Sequence, residues 1–494
     1  MEETIPHWLD KQAEINPHQT AVETDTGASL TFLEIQQMSE AYAKALRAEG
    51  IGEGDHVAVL ASNRLEMILA IHGLSYLGAV LVLLNTRLTP EELAFQVKDA
   101  EVSHFIVEER FRKTAETTIQ KARLTQCGLF SLEKVNLDMK SRQPLKREIN
   151  LKDLFTIIYT SGTTGNPKGV ELTYGNHWSS AVGSMLNLGL NENDKWLLCL
   201  PMFHVGGFSA LMKNVIYGMP IHLVSQFNAS YINQAIMNNG VTIISVVTVM
   251  VRRLLDDLGN DSYPDSFRCM LLGGGPAPES LLQSAKEKAV PIFQTYGMTE
   301  TSSQIATLSP KDAFRKLGSA GKALSTAQLK VDAEIGEIGE IKVKGPMVTN
   351  GYFNRAGANK EAFSDGWLAT GDMGYKDEEG FLYVIDRRKD LIISGGENIY
   401  PAEIEEVLAG VSEVLEAGVI GKKDDKWGQV PVAFIVSRTG SEVTKEELLD
   451  HCRSKLASYK VPREVIFIDE LPRNASNKIL RRKLAGIAER GGRE

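Results

Sequence analysis

Cysteine is scarce in this chain. Four residues, Cys127, Cys199, Cys269 and Cys452, are scattered over 494 positions with no CxxC pair and no histidine-rich spacing. Neither a disulfide framework nor a zinc site is indicated, and a reducing cytoplasm is expected. Excess positive charge is also missing: 54 Lys and Arg stand against 63 Asp and Glu, a formal net charge of -9. That balance argues against a broad nucleic-acid footprint, because phosphate backbones are held by clustered Lys and Arg. The basic tail KILRRKLAGIAERGGRE spaces its Leu and Ile as a helix does, so it is expected to be a solvated helix face. The start, MEETIPHWLDKQAEINP, lacks the basic-then-apolar order of a secretory signal. Long apolar runs are few. The stretch 67–85 approaches membrane-spanning length, yet His72, Gly73, Ser75 and Gly78 interrupt it and it ends in AVLVLLN. A buried helix stopping near Gly78 and turning into a core strand is expected there.

At 494 residues the chain exceeds the roughly 250–300 residues at which one core usually splits. Apolar runs (HVAVLAS, AVLVLLN, HFIVEE, FTIIYTS, KWLLCLPM, PIHLVSQ, VTIISVV and FRCMLLGGG) alternate with helical patterns through the first 330 residues. Such alternation implies crossover units and parallel sheets covered by helices. GEIGEIKVKGP and GYKDEEGFLYVIDR then read as antiparallel strands, with a turn at 377–380. From 389 on, short strands alternate with helices, the first of which opens at Pro401. The expected fold class is α/β: a large domain, 1–388, of α/β subdomains with mostly parallel sheets plus a small antiparallel β region, followed by a small α+β domain, 389–494.

The stretch YTSGTTGNPKGV, 159–170, holds three glycines, four Ser and Thr hydroxyls and Lys168 directly behind an apolar run. Glycine lets backbone N–H groups and hydroxyls surround a phosphate without crowding from a Cβ, and a lysine adds a mobile charge. No Walker A string can be drawn through it.

This loop closely resembles the phosphate loop of the adenylate-forming, acyl-activating superfamily. Four further signatures of that family follow in order: YGMTE at 296–300, TGD at 370–372, DRRKDLIISGGENIYPAEIE at 386–405 and LPRNASNK at 471–478. The resemblance implies an enzyme that uses ATP to activate a carboxylate as an acyl-AMP, releases pyrophosphate, and passes the acyl group to the thiol of coenzyme A. It places phosphates on Thr160, Ser161, Gly162, Thr163, Thr164, Gly165 and Lys168, and the nucleotide against Gly274, Gly275, Pro276, Tyr296, Gly297 and Arg387. Apart from the motif, the Tyr296 ring packs in a core as readily as it stacks on adenine. Asp372 is suited to accept from both ribose hydroxyls, although Asp in a Thr-Gly-Asp turn is commonly just a turn former.

By the same resemblance Thr299 meets the α-phosphate and Glu300 is the carboxylate for Mg2+, a hard cation set against phosphate oxygens. Lys478 is an electrostatic clamp on the reacting carboxylate and α-phosphate. Asn477 stands where the family usually has glycine before that lysine. Lys389 matches the hinge about which the small domain moves, and Gly395 and Gly396 would line a pantetheine tunnel. His204, in PMFHVGG, matches a gate at the acyl pocket. The acid is expected against His204, Gly273, Gly274, Gln294, Gly297 and Ser302, with Ser302 or a water network serving a second carboxylate.

LLGGGPAP at 271–278 together with YGMTETSSQ looks like the o-succinylbenzoate-CoA ligases of bacterial menaquinone (vitamin K2) biosynthesis. The alternatives are an aryl- or medium-chain fatty acyl-CoA synthetase, adenylation without thioester formation, and a silent nucleotide-binding module. Expected partners are a small carboxylic acid, ATP and CoA, with no nucleic acid and no integral membrane association; a homo-oligomer stays open.

Overall fold

The computed structural model describes residues 3–137, 143–160, 167–274, 277, 279–386, 391–438, 443–472 and 479–490. By backbone proximity the chain divides into two compact units, one of Met1–Thr86, Gln96–Tyr159 and Gly169–Ile385, the other of Arg87–Phe95, Thr160–Lys168 and Asp386–Glu494.

Two large sheets organise the first unit. A seven-stranded sheet runs in the order Gly351–Tyr352, Lys168–Thr173, Leu154–Thr160, Val80–Leu83, His56–Leu60, His104–Val107 and Gly128–Ser131. Strands 154–160, 80–83, 56–60, 104–107 and 128–131 pair in parallel. The four inner strands are buried along most of their length, as strands covered by helices on both faces require, while 128–131 at the edge is largely half-buried. A nine-stranded sheet has Cys269–Gly273 between Ile243–Val247 and Ile292–Met298, all parallel, with Ser303–Leu308 returning antiparallel beside the last. The run 67–85 divides as its composition suggests. The helix Leu65–Leu77 ends on Gly78 at φ +71°, and the strand Val80–Leu83 follows. Every residue from Met67 to Leu77 is buried, which explains a helix apolar on all sides. Among the described residues no helix is long and apolar enough to cross a membrane.

The antiparallel region of this unit contains Gln328–Val331, Gly339–Lys344, Trp367–Lys376, Phe363–Ser364 and Leu382–Asp386. Here one expectation is corrected: Thr370, Gly371 and Asp372 do not form a turn. They lie inside the strand Trp367–Lys376, at a register shift opposite Glu340 to Lys342, with Gly371 at φ +75°. Three residues there stand opposite one, Ile341, and the two extra residues form a β-bulge that bends the strand and re-aims the side chain beside it.

In the second unit, Ile392–Ser394 and Glu397–Ile399 form a hairpin, the helix Pro401–Ala409 follows, and Val414–Asp424 pairs with Gly428–Ser437 along most of its length. Ile392, Ile399, Ile404, Leu408, Val419, Ala433, Leu448 and Cys452 form its core. The basic tail is the helix Arg481–Arg490, whose Leu484 is buried with Ile420, Val432, Phe434 and Leu471 while Arg481 pairs with Glu405.

Candidate active site

Tyr296 is on the strand Ile292–Met298 and packs among Ile305, Leu329, Ile341, Val343 and Leu368. Its hydroxyl donates to Asp372 Oδ2 at 2.7 Å. Both side chains are buried, at 2% and 6% exposure. The bulge at Gly371 turns the Asp372 carboxylate toward the tyrosine, so the fold unites two motif residues that the chain separates. Gly297, next along, sits at a second register shift; a Cβ there would meet Ser303 O at 1.9 Å, so only glycine lets the two strands close.

A 3-10 turn, Thr299–Thr301, links these strands. Glu300 within it is 3% exposed. Tyr352 donates to its Oε1 at 2.9 Å, and the Thr349 N–H donates to its carbonyl at 2.8 Å. Tyr352 in turn pairs with Val170 in the strand Lys168–Thr173, which carries the chain out of the phosphate loop. Tyr352 had no signal in the sequence, because it acts only through a carboxylate 52 positions away. Among the described residues no group of three or more His, Cys, Asp and Glu is arranged to hold a metal. A single buried carboxylate with one oxygen held by a hydroxyl suits a magnesium ion that takes its remaining ligands from phosphates and water.

Thr160 closes the strand Leu154–Thr160 and Lys168 opens the next, and these strands are neighbours in one sheet. The loop therefore returns strand to strand. Ser161, Gly162, Thr163, Thr164 and Gly165 lie outside the described residues, as do Gly275, Pro276, Arg387, Lys389 and Lys478.

On the acyl side, His204 caps the helix Val205–Tyr217 and its ring lies 4.7 Å from that of Phe203. Gly273 ends the strand Cys269–Gly273, and Gly274 follows at φ +83°. Gln294 is buried, and its Nε2 has no hydrogen-bond partner among the described residues. Ser302 is buried; its hydroxyl donates to Met347 O at 2.9 Å and its carbonyl accepts from Ser180 Oγ at 2.7 Å.

In the second unit Gly395 and Gly396 form the two-residue turn between Ser394 and Glu397, at φ +59° and +90°. Positive φ at both central positions is what a hairpin turn matched to strand twist demands. The Trp427 ring covers this turn so closely that a Cβ on Gly395 would lie 2.8 Å from Cε3.

Residues 9–353 match the AMP-binding enzyme family and residues 403–478 the AMP-binding enzyme C-terminal domain. Over 487 residues the chain is 54% identical to a 2-succinylbenzoate–CoA ligase of Oceanobacillus iheyensis, covering 98% of this chain and 100% of that one. Its fold is similar to that of an o-succinylbenzoate CoA synthetase double mutant of Bacillus subtilis bound with the product analogue OSB-NCoA, at TM-score 0.92 and 46% identity over 97% of this chain and 98% of that one. The Bacillus subtilis enzyme in complex with ATP and a magnesium ion matches at TM-score 0.76 and 45% identity, covering 97% and 99% of the two chains. With the buried Glu300 and the Tyr296–Asp372 pair set in one unit and both family matches in order along the chain, the chain belongs to the AMP-binding enzyme family of adenylate-forming ligases.

Proposed function

We propose that this protein is an acid–thiol ligase that converts o-succinylbenzoate, ATP and CoA into o-succinylbenzoyl-CoA, AMP and pyrophosphate in menaquinone biosynthesis. The observation that carries this reading is the 54% identity, over essentially the full length of both chains, to a 2-succinylbenzoate–CoA ligase.

In the first half reaction a carboxylate oxygen of the succinyl arm attacks the α-phosphorus of ATP and pyrophosphate leaves. Both reactants are anionic, so charge screening and alignment dominate catalysis. Asp372, with Oδ2 held by Tyr296, offers Oδ1 to the ribose hydroxyls, and Arg387 is assigned to ribose or phosphate. The adenine lies against Tyr296, Gly274, Gly275 and Pro276. Thr299 donates to the α-phosphate, while Thr160 to Gly165 and Lys168 hold the outgoing phosphates. Glu300, its Oε1 fixed by Tyr352, is the protein ligand for Mg2+, which supplies positive charge at the triphosphate. Lys478 stabilises the charge developing between carboxylate and phosphate.

In the second half reaction the CoA sulfur attacks the acyl carbonyl and AMP leaves. We assign residues 1–388 and 389–494 as the two domains, Lys389 as the hinge between the two half reactions, Gly395 and Gly396 as pantetheine contacts, and His204 as the gate. Gly273, Gln294 and Gly297 border the acid. The cytoplasm suits this chemistry, since ATP and CoA are at hand there and the four cysteines are free thiols.

AMP and pyrophosphate release by the purified protein with ATP, magnesium and CoA tests the reading, using o-succinylbenzoate, benzoate, 4-coumarate, octanoate and palmitate. Preference for o-succinylbenzoate with CoA-dependent AMP release is expected. Preference for another acid overturns the substrate assignment, and AMP release indifferent to CoA overturns the thioester step.

A further inference from the structure

Tyr159 and Gly169 flank residues 160–168 in the chain and lie on neighbouring strands of the seven-stranded sheet. The tyrosine ring and the glycine backbone are in close contact: a Cβ on Gly169 would lie 2.8 Å from Ile157 Cγ2 and 3.1 Å from Tyr159 Cζ. Glycine at 169 is what lets the second strand close on the ring. Burial, with the Asp99 charge beside it, pushes the Tyr159 pKa up, so the hydroxyl keeps its proton and donates to Asp99 Oδ2 at 2.8 Å. The other carboxylate oxygen, Oδ1, accepts from Arg355 Nη2 at 2.5 Å. Asp99 is the last residue of the helix Pro90–Asp99, where a negative charge opposes the helix dipole. Its carboxylate serves as a two-sided bridge and not as a support for its own helix.

Arg355 belongs to a short stretch, 352–355, that reaches three parts of the proposed site. Tyr352 donates to Glu300 Oε1, the Phe353 N–H donates to Gly169 O at 2.8 Å, and Arg355 holds Asp99. Tyr352 is pinned at both backbone groups by Asn359, whose Oδ1 accepts from its N–H at 2.7 Å and whose Nδ2 donates to its carbonyl at 3.0 Å. Tyr159, Asp99, Gly169, Glu300, Tyr352 and Arg355 all belong to the first unit. A partly exposed Asp–Arg pair is worth little to stability, and phenylalanine would fill the place of the Tyr159 ring. Stability alone therefore leaves unexplained why this carboxylate is bonded on both sides, and why Tyr159, Gly169 and Glu300 all converge on residues 352–355.

Resting on the proposed role of Glu300, we infer that Tyr159, Asp99 and Arg355 are positioning residues that hold the strand positions flanking the phosphate motif in fixed relation to the magnesium carboxylate. They act through Gly169 and Tyr352. Triphosphate and Mg2+ then meet groups already set at the right separation, and the network raises the factor by which each ligand tightens binding of the other.

Calorimetry with ATP in the absence of acid and CoA, with magnesium and with EDTA in its place, gives the factor by which magnesium tightens ATP binding. In Tyr159→Phe that factor should fall about tenfold, the worth of a hydrogen bond to a charged group, while affinity for magnesium-free ATP and Tm are little changed. The double variant Tyr159→Phe/Asp99→Ala should lose no more than Asp99→Ala alone, since both changes break one network. Arg355→Lys, which keeps the charge, should retain more of the factor than Arg355→Met. An unchanged factor in Tyr159→Phe, equal weakening with and without magnesium, or additive losses in the double variant overturn the inference and leave the proposed function standing. A Glu300→Gln protein that keeps the full magnesium effect removes the assignment of Glu300, and the inference with it.

Discussion

Tyr296 and Asp372 stand 76 positions apart and share one hydrogen bond of 2.7 Å. Tyr296→Phe keeps the ring and its packing but frees the carboxylate to rotate. The expected result is a KM for ATP raised about tenfold, equivalent to ~1.4 kcal/mol, with KM for the acid little changed. Pyrophosphate exchange at varied ATP measures it, and an unchanged KM for ATP separates the pair from nucleotide binding. At Glu300 the expected effect is larger: Glu300→Gln retains the size of the side chain and the contact with Tyr352 but removes the charge. Acyl-AMP formation should fall on the order of 100-fold, and more magnesium should be needed for half-maximal rate. The residue types at these sites were legible in the sequence, since the short motifs name Tyr296, Glu300 and Asp372. Their partners were not. Tyr352 enters the site through a hydroxyl contact that no local pattern encodes.

Among elements, the agreement is strongest where an apolar run is bounded by punctuation. FTIIYTS contains most of the strand Leu154–Thr160, and the helix Leu65–Leu77 stops at Gly78 as the composition implies. Agreement weakens where polar residues continue a ladder. EAGVIGK, 416–422, and PVAFIVS, 431–437, cover only part of strands Val414–Asp424 and Gly428–Ser437, which extend through Lys423, Asp424 and Gln429 because backbone pairing is indifferent to side-chain polarity. The link between them is set by Asp424, whose Oδ1 accepts from the Lys426 and Trp427 N–H groups at 2.9 and 2.8 Å. That turn places Trp427 over the Gly395–Gly396 hairpin. Gly395→Leu forces a side chain against Trp427 at positive φ, so the loop must shift. Thioester formation from preformed acyl-AMP should fall about 100-fold while ATP–pyrophosphate exchange is largely kept. Equal loss of both half reactions would remove this hairpin from the CoA step.

At the scale of the whole molecule, the core of the first unit holds neutral histidines that bear on its response to acid. Burial lowers the pKa of His72 and His177 to about 3 and that of His7 to about 4, from 6.5. His7 Nε2 lies 3.0 Å from Ser75 Oγ and Thr156 Oγ1 lies 3.0 Å from His177 Nε2, while His72 Nε2 has no partner among the described residues. Below the ordinary histidine pKa the unfolded chain takes up protons that the folded unit refuses. Their contribution is therefore present in full above about pH 6.5 and is lost progressively as pH falls toward 3. Tm should decline steadily from pH 7 to pH 5, and His72→Leu should flatten that decline; an equal slope in the variant would exclude His72 as a source. The sequence by itself determined the α/β class and the order of the family motifs, because strand, turn and glycine-loop signals reside in residues next to one another. Only the tertiary structure decided that Thr370 to Asp372 form a bulge and that Tyr296 and Tyr352 hold the two carboxylates. Burial and hydrogen-bond partnership are properties of residues brought together from distant parts of the chain, and no local spacing records them.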